Sequence, residues 1–138
     1  DAHLQALALG KAVIRRKGRA VAILVFGTLL KNAQIVAESL DATVVDMRFV
    51  KPLDEELLQE MAASHDLLVT LEENVVSGGA GSAVNEYLLS KGCQTQVLNL
   101  GLPDRFIGHG KVVDQQVQCN LHSDGILDSV RQRLQTLE

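Results

Sequence analysis

The 138-residue sequence has few aromatic side chains and no excess of positive charge. It contains no tryptophan, one tyrosine and three phenylalanines, so platforms for stacking nucleobases or sugar rings are scarce. Thirteen lysine and arginine residues stand against seventeen aspartate and glutamate residues, which gives a net charge of −4. Such a chain lacks the electrostatic footprint that attracts a polyanion. We therefore expect no nucleic-acid partner.

Cysteine and long apolar runs are also scarce. Cys93 and Cys119 lie far apart and form no closely spaced pair, which is typical of packed, unbridged thiols in a reducing cytoplasm. The longest apolar run, residues 20–26, has seven residues, whereas a membrane-spanning helix needs about 20. No segment has the charged start and apolar centre of a signal peptide. These absences predict a cytoplasmic protein with no membrane partner.

The length is that of one compact domain. Because 46% of the residues are hydrophobic, the chain can bury a core, which excludes the disordered and collagen-like classes. The sequence starts at Asp1 and its first methionine is Met47, so we expect a piece cut from a longer polypeptide. We expect residues 1–138 to form a single domain, with residues 1–9 as the end of a linker.

Short apolar runs alternate with segments of helical length, as in buried parallel strands joined by crossover helices. The runs are Val21–Phe26, Thr43–Met47, Leu67–Leu71 and Thr95–Leu100. The earlier run Lys11–Arg16 precedes a glycine and predicts an antiparallel edge strand that enters the next strand as a hairpin. Its positive charges favour a solvated edge over an anion site. The pattern predicts an α/β fold, namely a three-layer α/β/α sandwich with a mostly parallel five-stranded sheet and one antiparallel edge strand.

Helix positions follow from apolar stripes and capping residues. Thr28 is predicted to cap the first helix, and Asp54 the second, where two further acids face the positive end of the helix dipole. Gly92 is predicted to end the third helix. The stripes that should pack on the sheet in the first and last helices are Leu29, Ala33, Val36, Ala37 and Leu40, and Ile126, Val130, Leu134 and Leu137.

A glycine-rich segment joins the third apolar run to the following helix. Its candidate residues are Glu72, Glu73, Gly78, Gly79, Gly81 and Ser82. Free amides at a helix N-terminus can hold an anion such as phosphate. However, the third glycine of the dinucleotide fingerprint and the lysine of a Walker loop are absent, and two glutamates bring like charge. We favour a tight turn with close helix–sheet packing, and expect a positive φ at Gly79.

A second informative segment leaves the last strand at its carboxyl end, where open α/β sheets place ligands. Its polar residues Asp104, Arg105 and His109 have the chemistry of an ion pair, a phosphate ligand or a proton carrier. We favour a structural or interface role over catalysis. The four histidines lack zinc-ligand spacing, and no nucleophile elbow is present, so zinc and serine-hydrolase chemistry are not expected.

Taken together, these motifs resemble the C-terminal domain of the 1-deoxy-D-xylulose-5-phosphate synthases from about residue 9 to residue 134. The wider transketolase C-terminal domains share three of these elements, namely Pro-Leu-Asp, Glu-Glu and Gly-Gly-x-Gly-Ser. The Leu-Pro-Asp-Arg-Phe-Ile-x-His-Gly element points to the synthases over transketolase itself. The segments that carry the resemblance are Val21–Thr28, Val45–Asp54, Leu68–Asn74, Gly78–Glu86 and Leu98–Gly110.

The resemblance implies an enzyme that condenses pyruvate with glyceraldehyde 3-phosphate, releases carbon dioxide and forms 1-deoxy-D-xylulose 5-phosphate for isoprenoid, thiamine and pyridoxal synthesis. Such enzymes are homodimers that use thiamine diphosphate with magnesium. The family's Gly-Asp-Gly element, which binds magnesium and diphosphate, is absent from this chain. We therefore expect no catalytic, cofactor-binding or metal-binding residue here, and no cofactor bound to the chain alone.

The expected role is docking on the preceding thiamine-diphosphate-binding domains, support of the dimer and formation of one wall of the active-site approach, with no activity in isolation. Two alternatives stay open. The chain is either a free-standing module that binds small anions or regulates, or the C-terminal domain of another transketolase-type enzyme.

Overall fold

The computed structural model describes residues 10–73, 79–101 and 123–137. In these ranges five strands and four helices follow one another in the order that the sequence predicts. The strands are β1 (Val13–Arg16), β2 (Val21–Phe26), β3 (Thr43–Asp46), β4 (Leu67–Glu72) and β5 (Gln96–Gly101). The helices are α1 (Leu30–Leu40), α2 (Glu55–Ser64), α3 (Ala80–Ser90) and α4 (Ser123–Leu137).

The strands form one sheet in the order β1-β3-β2-β4-β5. The pairs β2–β3, β2–β4 and β4–β5 are parallel, whereas β1 is antiparallel to β3. Every residue of the two central strands, β2 and β4, is buried, because helices cover both faces of the sheet. The predicted α/β sandwich with one antiparallel edge strand is confirmed.

Two apolar clusters, one on each face, make up the core. Alternate residues of β2 serve opposite faces, since Ile23 packs with α1 and α4 and Leu24 packs with α2 and α3. The predicted stripe of α1 is confirmed, with four buried residues and Leu40 partly buried. In α4, Ile126 and Val130 are fully buried.

The predicted pairing of β1 is wrong. β1 pairs with β3 and not with β2, because its connection to β2 steps across the end of β3. There the Gly18 N–H donates to Thr43 Oγ1 at 2.9 Å, and the Arg19 N–H donates to the Asp41 carbonyl oxygen at 2.7 Å. Arg16 and Arg19 also pair with the Asp41 carboxylate at 3.1 and 3.6 Å. These contacts fix the connection to the β3 side of the sheet.

The predicted caps have different outcomes. Thr28 does not cap α1, because its hydroxyl donates to the Glu73 carboxylate, and Leu29 occupies the N-cap position without a side-chain bond. Asp54 caps α2, where its Oδ1 accepts from the Leu57 N–H at 3.2 Å. Gly92 follows α3 with a φ of +72°, and its N–H donates to the Leu89 carbonyl oxygen. Local signals therefore predicted two of these three termini.

Cys93 is a half-buried free thiol. In the part of the chain that the structure describes, no helix is both long and apolar enough to cross a membrane.

Asp54 also ties α2 to the start of β1, because its Oδ2 accepts from the Ala12 N–H at 2.9 Å. We expect Asp54→Ala to lower the free energy of unfolding by about 2 kcal/mol, since it removes a cap and leaves a strand amide without its acceptor. Urea unfolding checks this, with the exposed Glu60→Ala as a matched control that changes stability by less than about 0.5 kcal/mol. Equal losses in both variants would contradict the role given to Asp54.

Gly18 and Gly92 require glycine for different reasons. A Cβ on Gly18 would lie 2.3 Å from the Asp41 carbonyl oxygen, whereas a Cβ on Gly92 would meet nothing within 4 Å. We expect Gly18→Ala to cost about 3 kcal/mol, because backbone must move and β1 loses its register. Gly92→Ala should cost about 1 kcal/mol through its positive φ alone. Thermal unfolding of the two variants measures the difference, and the reverse order would contradict the steric explanation.

Candidate functional site

The carboxyl ends of β2 and β4 form the topological switch point of the sheet. The chain leaves β2 for α1 on one face and leaves β4 for α3 on the other, so the two connections diverge. Open α/β sheets bind ligands in the crevice that this divergence creates. Here a cleft of about 310 Å³ opens between the strand ends. Its lining residues are Phe26, Gly27, Arg48, Val50, Glu72, Glu73, Gly79 and Ala80.

Glu72, the last residue of β4, binds the N-terminus of α3. Its Oε1 accepts from the Ala80 N–H at 3.2 Å and its Oε2 accepts from the Gly81 N–H at 2.7 Å. The residue is only 7% exposed, and the first turn of α3 has no acidic residue of its own. The carboxylate therefore satisfies free amides of the helix and complements its dipole. An external anion would have to displace Glu72 from these amides.

Glu73 lies on the open side of the cleft. Its carboxylate accepts from the Thr28 hydroxyl, which brings the ends of β2 and β4 together. Gly27 allows this approach through a φ of +105°, a conformation that side chains with a Cβ rarely adopt. Glu73 is half-buried and Thr28 is exposed, so the pair is accessible from solvent.

Arg48 supplies positive charge at the rim. Its guanidinium carbon lies 5.3 Å from the centroid of the Phe49 ring, and its Nη1 donates to the Lys11 carbonyl oxygen at 3.5 Å. The described ion pairs lie along β1 and its connection and include neither Glu72 nor Glu73.

A polar network beside the cleft sets the position of α3 on the sheet. A Cβ on Gly81 would lie 2.9 Å from Asn99 Nδ2 and 3.1 Å from Thr70 Oγ1, so a larger residue would have to displace the Asn99 amide. Asn99 Nδ2 donates to Thr70 Oγ1 at 2.6 Å, and Asn99 Oδ1 accepts from Asn85 Nδ2 at 2.7 Å. The sequence reasoning missed Thr70 and Asn99, although each is a polar residue inside an apolar strand run.

The structure gathers some of the predicted site residues and not others. The cleft is lined by Glu72, Glu73 and Gly79. Two further predicted residues lie on α3, where Gly81 is buried and Ser82 is exposed. The predicted positive φ at Gly79 is wrong, because this residue is extended with a φ of −72°. The remaining predicted residues, Gly78, Asp104, Arg105 and His109, lie outside the described ranges.

The described residues do not fit a thiamine diphosphate–magnesium pair. A diphosphate needs free amides or cations, whereas the Ala80 and Gly81 amides are bonded to Glu72. Among the described lining residues one cation, Arg48, stands against the two carboxylates of Glu72 and Glu73. Within residues 10–73, 79–101 and 123–137, no three His, Cys, Asp or Glu side chains are grouped to hold a metal ion. The arrangement suits a contact with a cation or a polar surface.

Comparison with known proteins agrees with the motifs. The sequence model of the family "Transketolase, C-terminal domain" matches residues 10–126. The chain is 58% identical over 134 residues to the 1-deoxy-D-xylulose-5-phosphate synthase of Pseudomonas aeruginosa, covering 97% of this chain and 21% of that protein. It is 56% identical over 137 residues to the synthase of Pseudomonas fluorescens, covering 99% of this chain and 22% of that protein.

A solved structure described as a split-gene transketolase in an inactive β4 tetramer superposes with a TM-score of 0.81 at 31% identity. The match covers 91% of this chain and 42% of that chain. The chain thus spans about a fifth of the length of the curated relatives that it matches. With the family model matching residues 10–126 and a transketolase structure superposing at 31% identity, the chain belongs to the transketolase C-terminal domain family.

Proposed function

We propose that the chain is the C-terminal domain of a 1-deoxy-D-xylulose-5-phosphate synthase. The observation that carries the proposal is the 58% identity to a synthase over nearly the whole chain. The alternative of another transketolase-type enzyme has weaker support, since the split-gene transketolase is 31% identical. The complete enzyme would condense pyruvate with glyceraldehyde 3-phosphate, with loss of carbon dioxide.

In that enzyme thiamine diphosphate supplies the stabilised carbanion that follows decarboxylation. The cofactor and its magnesium would be held outside this chain, which supports the reaction by docking, by stabilising a homodimer and by forming one wall of the approach to the reaction centre. Two observations support this division. The chain matches only about a fifth of the synthases, and its cleft directs a carboxylate onto the helix amides that a diphosphate would need.

The chain alone is proposed to be inactive. In support, the split-gene transketolase neighbour, of which this chain covers 42%, is described as an inactive β4 tetramer. A cytoplasmic location is proposed from the composition, with its two widely separated cysteines.

The cofactor test uses the 138-residue chain and the complete polypeptide side by side. We expect isothermal calorimetry with thiamine diphosphate and magnesium to give no heat of binding for the chain and a saturable isotherm for the complete polypeptide. We also expect the complete polypeptide to consume pyruvate and the 138-residue chain not to. Micromolar cofactor binding or turnover by the chain alone would contradict the proposal.

Deletion of residues 10–137 from the complete polypeptide provides the complementary measurement. We expect pyruvate turnover to be lost, because the truncated enzyme lacks a docked domain and one wall of the active-site approach. A truncated enzyme with unchanged turnover would show that the domain has no part in the reaction.

A free-standing anion-binding module would bind phosphate at the N-terminus of α3, whereas the proposed domain would not. We expect millimolar inorganic phosphate to leave the amide chemical shifts of Ala80 and Gly81 unchanged, because both amides are bonded to Glu72. In Glu72→Ala the same amides should respond to phosphate, which makes this variant the positive control. A saturable response in the unmodified chain would favour the anion-binding module.

A further inference from the structure

The direction of β1 determines at which edge of the sheet the described part of the chain begins. Because β1 is antiparallel to its neighbour, its first residue, Val13, pairs with Asp46 at the carboxyl end of β3. The residues just before β1 stay at this edge, since the Ala12 N–H donates to Asp54 and the Lys11 carbonyl oxygen accepts from Arg48. Gly10, where the family match begins, therefore lies at the edge of the sheet that carries the switch-point cleft.

The cleft presents a carboxylate, that of Glu73, which none of the ion pairs among the described residues includes, although Arg48 lines the same opening. Glu73 is half-buried, and the group that bonds its carboxylate is the neutral Thr28 hydroxyl. The charge of Glu72 is already complemented by the amides of α3. A half-buried carboxylate gains most from a charged donor, because hydrogen bonds between charged groups are about twice as strong as neutral ones.

The apolar part of the cleft suits the stem of a long cationic side chain. Phe26 is 7% exposed and Val50 is half-buried, and both line the same opening as Glu73. Lysine and arginine bury their methylene stems against such surface while the charged head reaches a polar group. The volume of about 310 Å³ accommodates a side chain of this size.

We propose that this cleft is where the preceding domains of the same polypeptide dock, by inserting a lysine or arginine side chain that pairs with Glu73. The inference rests on the proposed function, because it requires those domains. Entry of the chain at the carboxyl edge gives the contact a high effective concentration, so that a modest interface suffices.

The experiment is hydrogen–deuterium exchange by mass spectrometry on the complete polypeptide. Glu73→Gln keeps an acceptor for Thr28 but removes the charge. We expect it to speed exchange about tenfold in peptides covering residues 26–28 and 79–81, and also in one lysine- or arginine-bearing segment of the preceding domains. Raising the salt concentration to about 1 M should produce the same pattern, since it screens the pair.

Two variants separate docking from local effects. Glu86→Gln removes an equivalent charge from an exposed position on α3 and should change neither region. Thr28→Val removes the local hydroxyl and should leave the segment in the preceding domains protected. The docking proposal is wrong if Glu73→Gln leaves the exchange rates outside residues 10–137 unchanged. It is also wrong if Thr28→Val speeds exchange in the preceding domains as Glu73→Gln does. Pyruvate turnover is measured on the same polypeptide. An active enzyme whose exchange pattern is unaltered by Glu73→Gln would contradict the docking site but not the proposed function.

Discussion

The contact between Glu72 and the first amides of α3 holds the carboxyl edge of the sheet together. It joins the end of a fully buried central strand to the start of a helix that packs on the same strand. A carboxylate that is 93% buried would be costly without such donors, and a helix terminus at the sheet surface would be costly without an acceptor. The hydrogen bonds between them therefore remove the free-energy cost of leaving either group without a partner. The rest of the cleft is arranged around this contact, with Glu73 left on the open side.

The same contact shows how an arrangement that could hold a phosphate is occupied by the protein itself. A glycine-rich turn before a helix offers amides to any anion. In this chain the anion is Glu72 of the preceding strand, which occupies the Ala80 and Gly81 amides without any change in sheet topology. A single side chain at the strand end thus occupies the amides that an anion would use, which agrees with the general independence of fold and function.

The sequence was sufficient for features that depend on neighbouring residues or on periodicity. The central strands follow from apolar runs, the face of α1 from its stripe, and the start of α2 from Asp54 three residues before the amide that it caps. The errors concern distant contacts. Thr28 has the right residue type for a cap, but a glutamate 45 positions away takes its hydroxyl. The density of glycine suggested a positive φ at Gly79, whereas the chain uses the small size of Gly81 to bring helix and sheet together.

The pairing of β1 with β3 has a consequence for the order of assembly during synthesis. β1 leaves the ribosome before the other strands, yet the edge that accepts it belongs to a strand that begins 27 residues further on, at Thr43. During that interval its basic side chains keep it hydrated and discourage pairing with another nascent chain. The first of the five described strands is thus added to the sheet only after β2, α1 and β3 have emerged.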